Sequence, residues 1–301
     1  MPIVRGSMAM LLAPGLIMKT VTRYKEKPEK YRLFNNVQDS KKAYEEDYGL
    51  SGLGPLQEKS ELGTAIFDEP IKLGLSRWIH KTYALGIAFS KESADDDLYS
   101  VIMGLAGQLG RSGRWTAELW GHDVLNFGFS TARYVGRDTK ALFALDHPVQ
   151  GTQGILANRP TVDTDLSAGA LEAAIQSFGS ITEERGMPIE STPRKLIVHP
   201  ENEMNARRIL QSAGYPGSNL NDINVLKDSN LELVVTPYLT DTDSWYLFGD
   251  TSDVDVRFYW REMPDTKTWD DDNADATFHK LRQRLSVGFG DWRHTYASAG
   301  G

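Results

Sequence analysis

The sequence contains no cysteine. That absence excludes a disulfide scaffold, a thiolate nucleophile and a zinc–thiolate site together. A long hydrophobic run is missing as well. The most apolar stretch, Met8 to Met18, is broken by Pro14 and Gly15 and falls far short of the roughly 20 residues that span a bilayer. Lys19, Arg23 and Lys25 stand where a signal peptide would place its small-residue cleavage site. The stretch therefore reads as an amino-terminal arm that buries its apolar residues on a neighbouring molecule, with no membrane involved.

Motifs of catalysis are equally scarce. Gly52 and Gly54 lack the third glycine of a dinucleotide fingerprint, and neither Gly-x-x-x-x-Gly-Lys-Ser/Thr nor Gly-x-Ser-x-Gly occurs. The six histidines (His80, His122, His147, His199, His279 and His294) form no His-x-x-x-His pair, so spacing gives no zinc site. His199 beside Pro200 reads as a strand-to-helix junction. His122 and Asp123 would make an acid–base pair only if both faced one cleft; a solvated helix face is the simpler reading. The acidic run Trp269 to Asp275 offers Asp271, Asn273 and Asp275 at the first, third and fifth positions of a calcium loop. It then puts Ala276 where glycine is needed and Arg282 where the bidentate glutamate belongs, so a polar turn fits better. No catalytic residue, metal or cofactor is expected.

What is present is the composition of an ordinary globular protein: 301 residues, 40% hydrophobic and 25% charged. The formal net charge is −8, but residues 1–32 hold seven Lys/Arg against Glu26 and Glu29, a net +5 that leaves −13 on the remainder. A wholly nucleic-acid-binding surface is excluded. The basic residues Arg5, Lys19, Arg23, Lys25 and Lys27 read as an arm facing nucleic-acid phosphates or docked on an acidic neighbour.

Residues from Tyr44 to Gly74 are punctuated by five glycines and two prolines, yet include Leu53, Leu56, Leu62, Ile66, Phe67 and Ile71. So much apolar content argues against plain disorder and for a segment that lies on something else. Strand-like runs follow from Lys72 to Phe89. Ser93 then opens a helix with Leu98, Val101, Ile102, Leu105 and Leu109 on one apolar stripe. Gly110 to Gly113 mark a bend or break, after which the pattern resumes through Trp115, Ala117, Leu119, Trp120, Val124 and Leu125. Leu142 to Leu145 is a short strand candidate. Ser167 caps a helix with Leu171, Ala174, Ile175 and Phe178 on one face, ending near Gly186 to Pro188. Val254 to Trp260 alternates as a half-buried strand, and Leu281, Leu285 and Val287 alternate likewise.

The stretch from Arg194 to Asp250 is the most informative. Leu196-Ile-Val198 reads as a strand and His199-Pro200 as a junction. Glu201 and Glu203 sit in the first turn of a helix through Leu210 that closes at Gly214. The β-branched run Leu231 to Thr236 is stopped by Pro237, and Ser244 to Phe248 forms another strand before Gly249-Asp250. This order resembles the axial region of tailed-phage major capsid proteins, where a strand and helix precede a "VV-x-P-x-L" strand and a "WYLF-D" strand. Val256 to Arg261, Phe278 to Arg282 and Gly288 to Trp292 resemble the same family. The resemblance is strongest from Leu196 to Trp292.

It implies an α+β chain of the Hong Kong 97-type capsid fold. Residues 1–45 would be the amino-terminal arm and 46–80 an extended loop reaching over an adjacent subunit. Residues 81–135 would hold a peripheral domain with its spine helix, 136–243 an axial domain, and 244–301 the carboxyl-terminal peripheral strands. The implied function is structural: self-assembly into hexamers and pentamers of an icosahedral head around double-stranded DNA. Leu53, Leu56, Lys59, Leu62, Ile66, Phe67 and Ile71 would lie at the subunit interface. Partners would include a portal protein and a scaffold or decoration protein. Some relatives cross-link a loop lysine to a neighbour's asparagine, and Lys59 lies in the corresponding region. Two alternatives stand beside this: an encapsulin-like nanocompartment shell, which shares the fold, and a soluble α+β enzyme.

Overall fold

The computed structural model describes residues 8–61, 63–64, 67–90, 92–93, 99–151, 154–215, 223–271 and 275–301. In chain order the elements begin with α1 (Met8–Tyr24), β1 (Asn36–Asp39), β2 (Tyr44–Leu50), β3 (Lys72–Ile79) and β4 (Lys81–Ser90). Next come the long helix α2 (Tyr99–Asn126), β5 (His147–Val149), β6 (Gly154–Leu156) and α3 (Ala168–Gly179). The remainder is β7 (Lys195–Val198), α4 (Glu203–Gln211), β8 (Glu232–Val235), β9 (Trp245–Phe248), β10 (Val256–Asp271), β11 (Ala276–Phe289) and β12 (Thr295–Ser298).

The alternation seen at Val256 to Trp260 continues into a 16-residue strand. β10 and β11 form a long antiparallel hairpin in a sheet ordered β1-β10-β11-β4, with β1 parallel to β10. The acidic run from Trp269 is the end of this hairpin, Asp271 facing Ala276 across it. Asn273 lies outside the described residues. α2 rests against β11 and β4, and α1 lies along α2.

A second sheet is ordered β12-β9-β7-β8, with β7 parallel to β8 and antiparallel to β9. Its two central strands are buried on both faces, which explains their near-continuous apolar sequences. Leu196, Val198, Trp245 and Leu247 face a core shared with α3 and α4. Ile197, Tyr246 and Phe248 face the opposite way, into a core shared with α2, β10 and β11. β9 pairs with β7, and β12 with β9, so a boundary at 243/244 would cut this sheet.

Four local expectations are corrected. Gly110 to Gly113 do not interrupt α2, which is continuous for 28 residues. These glycines serve packing: a Cβ on Gly110 would lie 2.1 Å from the Thr20 carbonyl oxygen, and one on Gly113 2.1 Å from Leu281 Cδ2. The single apolar stripe on α2 is really two. Ile102, Ala106, Leu109, Ala117 and Val124 are buried, whereas Val101, Leu105, Trp115 and Leu119 are exposed. The helix capped by Ser167 stops at Gly179. Gly186 (φ 81°) instead shapes a turn in which the Glu183 N–H donates to the Met187 carbonyl at 2.8 Å. Leu142 to Leu145 is not a strand; it turns inward, with Leu142 and Phe143 buried. Leu98 lies outside the described residues.

Candidate assembly surfaces

β2 and β3 pair antiparallel from Tyr44↔Ile79 to Leu50↔Lys72 and carry residues 51–71 as a long tip. Among the described residues this tip contains no strand or helix. Its base is held by reciprocal hydrogen bonds. The Ser51 N–H donates to the Ile71 carbonyl and the Ile71 N–H to Ser51 Oγ, each at 2.9 Å. Farther out, the Gly54 N–H donates to Asp68 at 2.8 Å, and Arg185 pairs with Asp68 at 2.9 Å while donating to the Glu69 carbonyl at 2.6 Å. The Gly54 amide, with Arg185 adding, holds the Asp68 carboxyl below its ordinary range.

The hairpin is also fixed to the body through charge. Arg137 and Arg257 each reach Asp47 of β2 at 2.6 Å, and Arg137 reaches Asp255 at 3.0 Å. Arg257 pairs with Asp255 as well. Burial pushes the Asp255 carboxyl up, and the two guanidinium groups oppose that shift. Removing one member of such a partly buried network leaves the others uncompensated. Gly74 admits the Arg137 backbone, since a Cβ there would lie 2.0 Å from the Arg137 carbonyl oxygen.

The expected interface residues divide accordingly. Leu53, Leu56, Lys59 and Phe67 are exposed, Phe67 at 93%. Ile71 is half-buried at the base, beside Gly151. Leu62, Ile66 and Arg5 lie outside the described residues. Tyr48 and Leu50 on β2 are further exposed apolar groups. The tip therefore presents large apolar side chains to solvent from a base that is firmly tied, and the exposed face of α2 adds a second such surface.

The arm packs in part against its own chain, although Met18 and Val21 are exposed. Leu16, Thr20 and Tyr24 are buried, and the Thr20 hydroxyl lies 3.0 Å from the Ala106 carbonyl and 2.9 Å from His279 Nε2. Close helix contact, permitted by Gly107 and Gly110, makes α2 the partner. Lys19 and Arg23 lie over Gly107, and Arg23 pairs with Glu26 at 2.8 Å. Lys25 and Lys27 are exposed.

The histidines are structural. His122 is buried, 2.9 Å from Thr236 Oγ1 and 2.7 Å from the Glu118 carbonyl, and burial lowers its pKa to about 4. Asp123 instead accepts from Tyr134 and pairs with Arg133. The adjacent pair thus faces two different environments. His80 hydrogen-bonds Ser40, His147 bonds Asp138, His279 bonds Thr20 and Thr268, and His294 bonds Ser191. Among the described residues no group of three or more His, Asp or Glu could hold a metal.

The α+β body thus presents a tethered apolar hairpin and an exposed apolar helix face. The chain matches the phage capsid protein family over residues 79–298 and belongs to it. It is a phage major capsid protein, a structural subunit that self-assembles into the icosahedral head of the virion, and not an enzyme. Solved structures share its fold. The capsid of cyanophage P-SCSP1u is 12% identical with a TM-score of 0.58, covering 90% of this chain and 88% of that one. The capsid of bacteriophage JBD30 decorated with minor capsid protein trimers is 14% identical with a TM-score of 0.56, covering 71% and 92%. A virus-like particle from Pyrococcus furiosus is 11% identical with a TM-score of 0.53, covering 94% and 97%. These identities show the fold alone; family membership separates this chain from a nanocompartment shell. No curated protein matches the sequence.

Proposed function

We propose that the chain forms the hexamers and pentamers of the head by laying residues 51–71 over an adjacent subunit. The observation that carries this is the exposure of Leu53, Leu56 and Phe67 on a tip whose base is tied at Ser51, Ile71 and Arg185. Full burial of each such side chain contributes ~1.5–3 kcal/mol before the cost of ordering the tip. Repeated around a closed ring, contacts of that size combine through multivalency, and closed symmetry limits growth.

The working units of this proposal are an arm (1–45), a loop (46–80) and a peripheral body built on α2, β4, β10 and β11. The axial unit comprises β7, β8, β9 and β12 with α3 and α4. The shell encloses double-stranded DNA through non-specific phosphate contacts, takes a portal protein, and engages a scaffold or decoration protein. The JBD30 capsid carries trimers of a minor capsid protein, a precedent for such a partner. Lys59 is the loop lysine available for a cross-link to a neighbour's asparagine; a boiling-resistant ladder on a denaturing gel is the readout, and a clean monomer band rejects it.

The test is deletion of Ser51 to Leu73, with electron microscopy of the purified protein. The expected result is a folded, soluble body that forms no closed shells, beside full-length chains that do. Normal shells from the deletion would overturn the loop assignment.

A further inference from the structure

A groove of about 410 Å³ runs between the carboxyl-terminal end of α1 and β10. Its lining is largely apolar, from Val21, Tyr24, Pro28, Trp260, Met263 and Leu281. It opens because β1 ends opposite Trp260, while β10 continues through register shifts between Trp260 and Asp265. Such irregularity, with Pro264 inside it, bends the strand and leaves its side uncovered. Met263 is 54% exposed and Val21 38%. Lys25, Lys27 and Arg32 stand along the rim. Arg32 pairs with Glu29, but among the described residues neither Lys25 nor Lys27 has an ion-pair partner.

The tip of the loop has the complementary character. Leu53, Leu56 and Phe67 are exposed, and residues 51–71 carry Glu58, Glu61, Asp68 and Glu69 against Lys59 alone, a net −3. Asp68 is engaged by Arg185, which leaves three glutamates for a partner. The loop of the same chain does not line the groove; it is tied at Arg185.

Resting on the reading of the loop as the assembly element, we infer that the α1–β10 groove is the seat of residues 51–71 of a second copy. The apolar side chains enter the groove and the glutamates meet Lys25 and Lys27. These two lysines therefore recognise protein carboxylates and not packaged DNA. Like charges brought together would oppose the contact, so the pairing also sets its register.

The absence of cysteine makes a direct test available. A chain carrying Leu56→Cys and Met263→Cys should give, in assembled shells, a ladder of disulfide-linked multimers on a non-reducing gel that collapses with reductant. Leu56→Cys combined with Val162→Cys, an exposed position away from the groove, should give none. Separately, Lys25→Glu with Lys27→Glu should raise the protein concentration needed for assembly about tenfold, the size expected of two exposed pairs turned repulsive. Adding Glu58→Lys and Glu61→Lys to that chain should restore assembly. Circular dichroism confirms that each variant is folded. Wild-type shells beside an uncross-linked Leu56/Met263 pair overturn the inference alone. So does a charge reversal that leaves assembly intact, whether or not it lowers the DNA content of the shells, or one whose loss of assembly Glu58→Lys with Glu61→Lys does not restore. Wild-type protein that forms no shells overturns the assembly reading, and the inference with it.

Discussion

Alanine placed at two glycines of α2 should move stability in opposite directions. Glycine in a helix interior is about 1 kcal/mol less favourable than alanine. A Cβ on Gly104 meets nothing within 4 Å, so Gly104→Ala should be more stable by up to ~1 kcal/mol. A Cβ on Gly110 would lie 2.1 Å from the Thr20 carbonyl oxygen, 3.0 Å from its carbon and 3.1 Å from the Tyr24 nitrogen. All three are backbone atoms of α1, so no side-chain rotation relieves them. α1 must move away, weakening the contact of Thr20 with Ala106. Overpacking costs ~1–3 kcal/mol and outweighs the helix gain, leaving Gly110→Ala less stable by roughly 1–2 kcal/mol. Gly113→Ala meets Leu281 Cδ2 at 2.1 Å, the end of a flexible side chain, and should cost less than Gly110→Ala. Urea unfolding of the unassembled subunit, with unchanged slope, gives the three values. A Gly110→Ala subunit as stable as wild type, or the same sign at Gly104 and Gly110, would refute the packing argument.

Acid should destabilise the subunit through His122. Its folded pKa of about 4 lies below the ordinary 6.5, so the unfolded chain binds the proton first. Stability contributed above pH 6.5 is lost as pH falls towards 4, by ~3 kcal/mol in all. Burial pushes the neighbouring Glu118 carboxyl upward, an effect of opposite sign, and other buried histidines and carboxylates also shift, so the difference between thermal melts of Glu118→Gln and Glu118→Gln/His122→Gln isolates the histidine. A difference that stays flat between pH 7 and 4 would contradict the assignment. Asn158→Ala should cost ~2–4 kcal/mol, because the buried amide donates to the Leu142 carbonyl at 2.7 Å and accepts from the Ala144 N–H at 3.0 Å; calorimetry measures it. Asp47→Ala should remove both arginine links between β2 and the body and loosen β2, seen as faster amide exchange in β2 and β3 than in β9.

Much of this architecture was legible because it is local. The strand Leu196 to Val198, its junction at Pro200, the helix of α2 and the alternation of β10 all show in side-chain period and in cap residues. The loop was legible by contradiction, since its apolar residues sit in a glycine-rich stretch that supplies no core. Gly110 was misread because the same residue weakens an isolated helix and admits a crossing one; only α1 decides which. Val101, Leu105, Trp115 and Leu119 were merged with the buried stripe because an apolar side chain carries no mark of whether its cover comes from its own chain. The Asp47, Arg137, Asp255 and Arg257 network has no spacing signature, its members being joined only by the meeting of β2 with β10. The pairing of β9 with β7 was hidden for the same reason.

The parallel pairing of β1 with β10 joins residues 36–39 to residues 257–260. Contacts between such distant segments form late, after the intervening chain has been made and gathered. The groove beside them is built from residues 21–32 and 260–281, so it is absent from any nascent chain still short of β10 on the ribosome. On the proposed seating, a fragment released early would have the loop but no groove for a neighbour's loop. Ring closure would then need both on every member, and the topology would withhold incomplete translation products from the growing shell.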